Sequence, residues 1–168
     1  RFGSLKAKDV MTPRSVLFTL PEDMSIEEIL TKRVELRFSR IPVYPREGEG
    51  IGHYVLNSDV LLAATRGEKE KKLLQLARTI LIVPETASLV SLFDLLLERR
   101  ELIALVVNEY GGTSGIVTME DILETVVGVE IVDETDKTID MQRLARERWE
   151  KRAKDLSLIL PDSEDPSP

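Results

Sequence analysis

Leu20-Pro21-Glu22-Asp23-Met24-Ser25-Ile26 and Val83-Pro84-Glu85-Thr86-Ala87-Ser88-Leu89 are two versions of one phrase, 63 positions apart. The same offset lays Ile41-Pro42-Val43 on Ala104-Leu105-Val106 and Gly52 on Gly115. After one extra residue in the first copy the offset falls to 62, which lays Asp59-Val60-Leu61 on Asp121-Ile122-Leu123. Spaced landmarks kept in one order point to internal duplication, so the chain is read as two homologous units.

Each unit carries the same succession of signals. A short β-prone run (16–20; 80–83) leads into Pro-Glu and then a serine in N-cap position. Ser25-Ile26-Glu27-Glu28 has the spacing of a capping box. Apolar residues at Ile26, Ile29, Leu30 and Val34, and at Leu89, Leu92, Phe93 and Leu96, recur at helical spacing. Two strands joined by a turn follow, at 41–44 and 52–56, then at 103–108 and 113–118. Helices at 58–64 and 119–127 close the units. The predicted fold class is thus α+β (mixed α/β), β-α-β-β-α twice, with the first unit over 5–66 and the second over 79–136. Residues 67–78 are expected to form a linker helix, and 137–168 a C-terminal helix and disordered tail. A unit of this size buries little apolar surface alone, so the two are expected to pack as an intramolecular pseudo-twofold pair.

Composition removes several functions. Apolar residues make up 42% of the 168 and aromatics only 5%, so Leu, Ile and Val must build the core. The longest apolar runs, such as 102–107, are too short to cross a bilayer, and Arg1–Val10 lacks the apolar stretch of a signal peptide. The chain starts at Arg1 rather than Met, and we expect a fragment of a longer protein. With no cysteine there is neither disulfide nor thiolate metal site, and His53, the only histidine, cannot form a histidine-pair site. The net charge of −7 speaks against nucleic acid as a partner. That charge is concentrated: residues 119–140 hold eight acids and one base. The spacing of the acids matches no EF-hand, and no metal site is assigned. No nucleophile–base pair stands out, so a non-enzymatic role is expected.

Three motifs carry a family resemblance: Val10-Met11-Thr12-Pro13-Arg14, Phe38-Ser39-Arg40-Ile41-Pro42-Val43-Tyr44, and the run Asn108-Glu109-Tyr110-Gly111-Gly112-Thr113-Ser114-Gly115-Ile116-Val117-Thr118-Met119-Glu120-Asp121-Ile122. In this order they resemble the tandem CBS domains (a Bateman module) of the CorC/CNNM, HlyC-like magnesium and cobalt transporters. The resemblance implies a regulatory module that binds an adenine nucleotide, ATP or AMP, with Mg²⁺ carried on the phosphates. It further implies a homodimer formed through the CBS pairs. The module would then lie at the cytoplasmic face of the plasma (inner) membrane, attached to the membrane domain of a larger efflux protein.

The residue chemistry fits that expectation. Thr118 would end a strand and Asp121 would begin the next helix, so hydroxyl and carboxylate could together grip the two hydroxyls of a ribose through charge-assisted bonds. The same two residues could equally serve only the helix end, as cap and dipole partner. Ile116 lies on the same strand face as Thr118 and offers an apolar wall to adenine. By resemblance Phe38 joins the adenine pocket, while Arg40 and Thr12 reach the phosphates, with Arg14 a weaker candidate. In the first unit Leu56 occupies the place of Thr118, so one nucleotide per chain is expected. Gly111-Gly112-Thr113-Ser114-Gly115 lacks the Lys-Ser/Thr ending of a P-loop and is read as a hairpin turn. The alternative function is a purely structural dimerisation module whose ligand site is vestigial.

Overall fold

The computed structural model describes residues 2–48 and 50–134, with side chains described from 3 to 128 save 49. Backbone contacts divide the chain into two units, residues 1–123 and 124–168. In the second, the described residues, 124–134, are helical. The expected C-terminal helix and tail, 137–168, lie outside the described residues.

Unit 1 holds both repeats up to Leu123, within the last helix. The first runs through β2 (Leu20–Pro21), α2 (Ile26–Thr31), β3 (Arg40–Tyr44), β4 (His53–Leu56) and α3 (Asn57–Thr65). The second runs through β6 (Leu81–Pro84), α5 (Leu89–Arg99), β7 (Ile103–Val107), β8 (Thr113–Thr118) and α6 (Met119–Glu134). Serines start the first helix of each repeat. Ser25 Oγ accepts from the Glu28 N–H at 3.1 Å and Ser88 Oγ from the Ser91 N–H at 3.1 Å. Each bond satisfies one of the orphan donors at a helix start, worth about 1 kcal/mol. Only the serine half of the expected Ser25–Glu28 box is made among the described residues. A helix also ends early: α2 stops at Thr31 and Arg33 turns left-handed (φ 51°), whereas α5 reaches Arg99 before Arg100 does the same (φ 54°).

Preceding each repeat is a second, smaller duplication that the sequence landmarks do not reveal. Helix α1 (Ala7–Val10) leads into strand β1 (Thr12–Pro13), and α4 (Leu73–Leu76) into β5 (Arg78–Thr79). Both helices begin alike, with the Lys6 N–H donating to Asp9 Oδ2 and the Lys72 N–H to Gln75 Oε1, each at 2.8 Å. The segment 67–78, expected as one linker helix, is therefore α-helical only over Leu73–Leu76, and its last residue already belongs to a strand. Its charged start and apolar end do not share a helical face. The apolar end is instead a separate element, with Leu73 fully buried in the core of the first repeat.

These short strands change places. The sheet orders are β1-β8-β7-β6 and β2-β3-β4-β5. Strand β1, which precedes the first repeat, thus joins the sheet of the second, with Thr12 opposite Ile116 and Pro13 opposite Gly115. Strand β5 does the reverse, with His53 opposite Thr79 and Tyr54 opposite Arg78. The helices follow their strands: the Ala7 N–H donates to the Ala87 carbonyl at 2.8 Å, and the Leu73 N–H to the Met24 carbonyl at 2.9 Å. The repeats are consequently interlocked by backbone hydrogen bonds as well as by apolar packing.

Register corrects one alignment. Arg40 faces Leu56 in the first sheet as Ile103 faces Thr118 in the second, and Val43 faces His53 as Val106 faces Gly115. His53, not Gly52, is thus the counterpart of Gly115, and the extra residue of the first repeat lies in its hairpin turn. The sheets meet across a cluster of Tyr54, Ile80, Ile103, Leu105 and Ile116. A β-sheet with one face against helices and the other against a second sheet must bury both faces. The near-continuous apolar run Ile103–Val106 is its sequence signature.

Candidate ligand cleft

The cleft of the second repeat is built where β8 ends and α6 begins. Thr118 Oγ1 accepts from the Asp121 N–H, and Asp121 Oδ2 accepts from the Thr118 N–H, both at 3.2 Å. This reciprocal pair caps the helix, as one of the two sequence readings requires. It also locks a hydroxyl and a carboxylate side by side at one strand end. A threonine hydroxyl that accepts one bond keeps its own proton for donation, and a carboxylate can accept several bonds at once. Both side chains are half-buried, so the pair is preorganised without being sealed from solvent.

Thr12 is brought to this place by the strand exchange, as the cross-strand partner of Ile116. The approach is tight. A Cβ added at Gly115 would lie 2.2 Å from the Thr12 carbonyl oxygen, so only glycine lets β1 settle against β8. Ile116 is 9% exposed and packs within the cluster between the sheets. Thr12, Ile116 and Thr118 are thus assembled on adjoining strands, with Asp121 in the first turn of the helix that follows.

Arg40 opens β3 in the other sheet. Asn57 holds the entry to this strand: its N–H donates to the Ser39 carbonyl at 3.0 Å and its Nδ2 to the Leu36 carbonyl at 3.2 Å. Arg40 is half-buried and pairs with no carboxylate among the described residues. Its guanidinium acts electrostatically on Tyr54, whose ring lies in the same cluster as Ile116. Phe38 stands apart. The early end of α2 leaves it on a loop, 53% exposed, with its ring 6.0 Å from that of Phe18 and tilted by 34°. Arg14 lines a recess beside the hairpin turns. Gly111 adopts φ 80°, and the backbone of Asn108 exchanges hydrogen bonds with Gly111 and Gly112, so these glycines form the hairpin turn.

By register the counterpart cleft in the first repeat comprises Arg78, Tyr54, Leu56 and Asp59. It is filled by its own side chains. Arg78 Nη2 contacts Asp59 Oδ2 at 3.5 Å. Tyr54, only 3% exposed, donates its hydroxyl to Glu101 Oε2 at 3.0 Å. Burial, then the hydrogen bond and charge of Glu101, hold this phenol above the ordinary tyrosine value, with Arg78 and Arg40 pulling weakly the other way. Leu56 gives α3 no side-chain cap. Sequence reasoning reached Leu56 but missed Tyr54, Arg78 and Glu101. Only the register of β5 on β4 aligns Arg78 with Thr12.

Comparison with known proteins agrees with this architecture. The family model of the CBS domain matches twice, over residues 7–63 and 75–128. The magnesium and cobalt efflux protein CorC of Salmonella typhimurium is 34% identical over 150 residues, covering 88% of this chain and 51% of CorC. The chain thus spans about half the length of this relative. Among solved structures, the CBS domain of a bacterial CNNM/CorC family Mg²⁺ transporter in complex with ATP is 30% identical, with a TM-score of 0.68 over 76% of this chain and 90% of that one. A CBS-domain pair with bound AMP from Klebsiella pneumoniae is 26% identical, with a TM-score of 0.60 over 73% of this chain and 98% of that one. Two matched domains, the interlocked repeats and the CorC-like sequence lead to one assignment: the chain belongs to the CBS domain family, as a tandem pair of the CorC/CNNM type.

Proposed function

We propose that this CBS pair is a non-enzymatic sensor that binds one adenine nucleotide in the cleft of the second repeat. The observation that carries the reading is the Thr118–Asp121 pair set beside Thr12, with an Arg40 that has no carboxylate partner among the described residues. Ribose hydroxyls meet the hydroxyl and carboxylate, adenine lies against Ile116 with Phe38 at its edge, and the phosphates meet Arg40 and Thr12. An arginine fork suits phosphate geometrically as well as electrostatically. ATP is the favoured ligand and AMP the shorter competitor. Mg²⁺ arrives on the phosphate oxygens and reduces their repulsion from the acidic stretch at 119–140.

A nucleotide held from both repeats favours one arrangement of those repeats, by no more than its difference in affinity for the two arrangements. In this reading the chain regulates a CorC/CNNM-like divalent-cation efflux protein from the cytoplasmic face of its membrane. It acts as a homodimer formed through the helical faces, where Leu30 and Leu61 line an apolar groove between α2 and α3. No helix among the described residues is itself long and apolar enough to cross a membrane.

One observation favours the second reading, a structural dimerisation module. Thr118 and Asp121 already bond each other as a helix cap, which explains their presence without a ligand. Calorimetry decides between the two, with ATP, ADP and AMP each titrated with and without Mg²⁺. The sensor reading expects saturable binding at one nucleotide per chain. No heat at millimolar nucleotide, together with an unchanged dimer by light scattering, selects the structural module.

A further inference from the structure

A further recess lies elsewhere, at the hairpin-turn end of the sheets. Its rim includes Thr113, five residues before Thr118 on β8 and so about 17 Å away along the strand. The volume is about 900 Å³, within the range of small-molecule sites. Both repeats contribute to it. Leu17 and Ile51 form an apolar floor continuous with the cluster between the sheets. Tyr44 comes from the first repeat, and Tyr110 from the turn of the second.

The rim on the second repeat is held rigidly. Asn108 Oδ1 accepts from the N–H groups of Tyr110 and Gly112, each at 2.9 Å, and so braces the turn from inside. Tyr110 stands on this turn 89% exposed, an aromatic face with no covering side chain. Arg14 supplies the cation of the recess and pairs with no carboxylate among the described residues. No acid among the described residues lines the space.

We propose that this recess is a second ligand site, separate from the nucleotide cleft, for a small organic anion with a flat apolar body. The floor of Leu17 and Ile51 takes the flat body, and the faces of Tyr44 and Tyr110 flank it, as aromatic rings favour offset or edge contacts with another ring. The Arg14 fork takes the carboxylate or phosphate in two parallel bonds, and the phenol hydroxyls add donors. A free cation is disfavoured, because the recess offers a guanidinium and, among the described residues, no carboxylate.

The test is an amide chemical-shift titration of the whole chain, without nucleotide, using indole-3-acetate and its uncharged analogue tryptophol as probes. Indole-3-acetate is expected to shift the amides of Leu17, Tyr44, Tyr110 and Gly112 saturably, and to bind about tenfold more tightly than tryptophol. In Arg14→Gln, an exposed substitution that leaves the core intact, the acid should bind no better than the alcohol. Absence of shifts at these amides overturns the proposal, as does equal affinity for acid and alcohol in the unaltered chain. Shifts centred on Thr118 and Asp121 would assign the probe to the nucleotide cleft and overturn it equally.

Discussion

In the second repeat a strand ends in Thr118 and a helix opens with Asp121, each bonded to the other's backbone N–H. In the first repeat the same places hold Leu56 and Asp59. Here the helix has no side-chain cap, and the carboxylate faces Arg78. The backbones remain alike: the Asn57 N–H donates to the Ser39 carbonyl at 3.0 Å as the Met119 N–H does to the Leu102 carbonyl at 2.9 Å. Duplication has kept the main-chain scaffold, whose hydrogen bonds every unit must satisfy, and freed the side chains at the cleft. One candidate cleft keeps a hydroxyl and a carboxylate at its strand end. Its counterpart is closed by an ion pair and by a buried tyrosine that ties β4 to Glu101.

The largest expected effect breaks that contrast directly. Asp121→Ala should lower ATP affinity about 100-fold, because bonds to a charged acceptor contribute roughly 1.5–3 kcal/mol each, whereas Asp59→Ala should leave it within about twofold. Calorimetry on both variants checks this, and equal losses would mean that the clefts are not distinct. Next comes the closeness of the exchanged strands. Gly115→Ala sets a Cβ against the Thr12 carbonyl and should destabilise the fold by roughly 1–3 kcal/mol in urea denaturation. His53→Ala at the counterpart position already has a Cβ and should be nearly neutral. Comparable losses at the two sites would show that β1 and β5 dock alike.

Tyr54→Phe sharpens the picture of the closed cleft. Losing the bond to Glu101 should cost about 1 kcal/mol and remove a pH dependence. Because folding holds this phenol above its ordinary value of 10.0, its contribution is complete below that pH. It is lost as pH rises through the interval up to the folded value, where the unfolded chain ionises first. Denaturation midpoints measured on either side of pH 10 should therefore fall less in the phenylalanine variant than in the unaltered chain. The smallest effect is expected from Arg78→Ala. Its partner lies 3.5 Å away and both side chains are substantially exposed, so the loss should stay below about 0.5 kcal/mol. A loss several times larger would make the ion pair, rather than Tyr54 and Leu56, the main closure.

Much of this was legible in the chain itself. The two Pro-Glu landmarks, the serine caps, the helical spacing after them and the hairpin at Tyr110-Gly111-Gly112 depend on neighbours a few residues apart, and the structure bears them out. The pairing of Thr118 with Asp121 belongs to the same class, a contact across three residues. Less legible were the bounds of α2, which loses its last turn to the loop that carries Phe38, and the place of the extra residue, which a search for matching glycines put on the wrong side of His53.

What the sequence determined alone was therefore the duplication, the order of elements in each repeat and the chemistry stored at each helix start, since local hydrogen bonds and periodicity are properties of short stretches. The exchange of β1 and β5 was decided only by the tertiary structure. A two-residue strand has no periodicity to read, and its partners lie in the opposite repeat. The same holds for the closure of the first cleft by Tyr54, Glu101 and Arg78, and for a recess shared by two hairpin turns. These arise where distant segments are pressed together by burial of the cluster between the sheets, and no residue's immediate neighbours record which distant side chain it will meet.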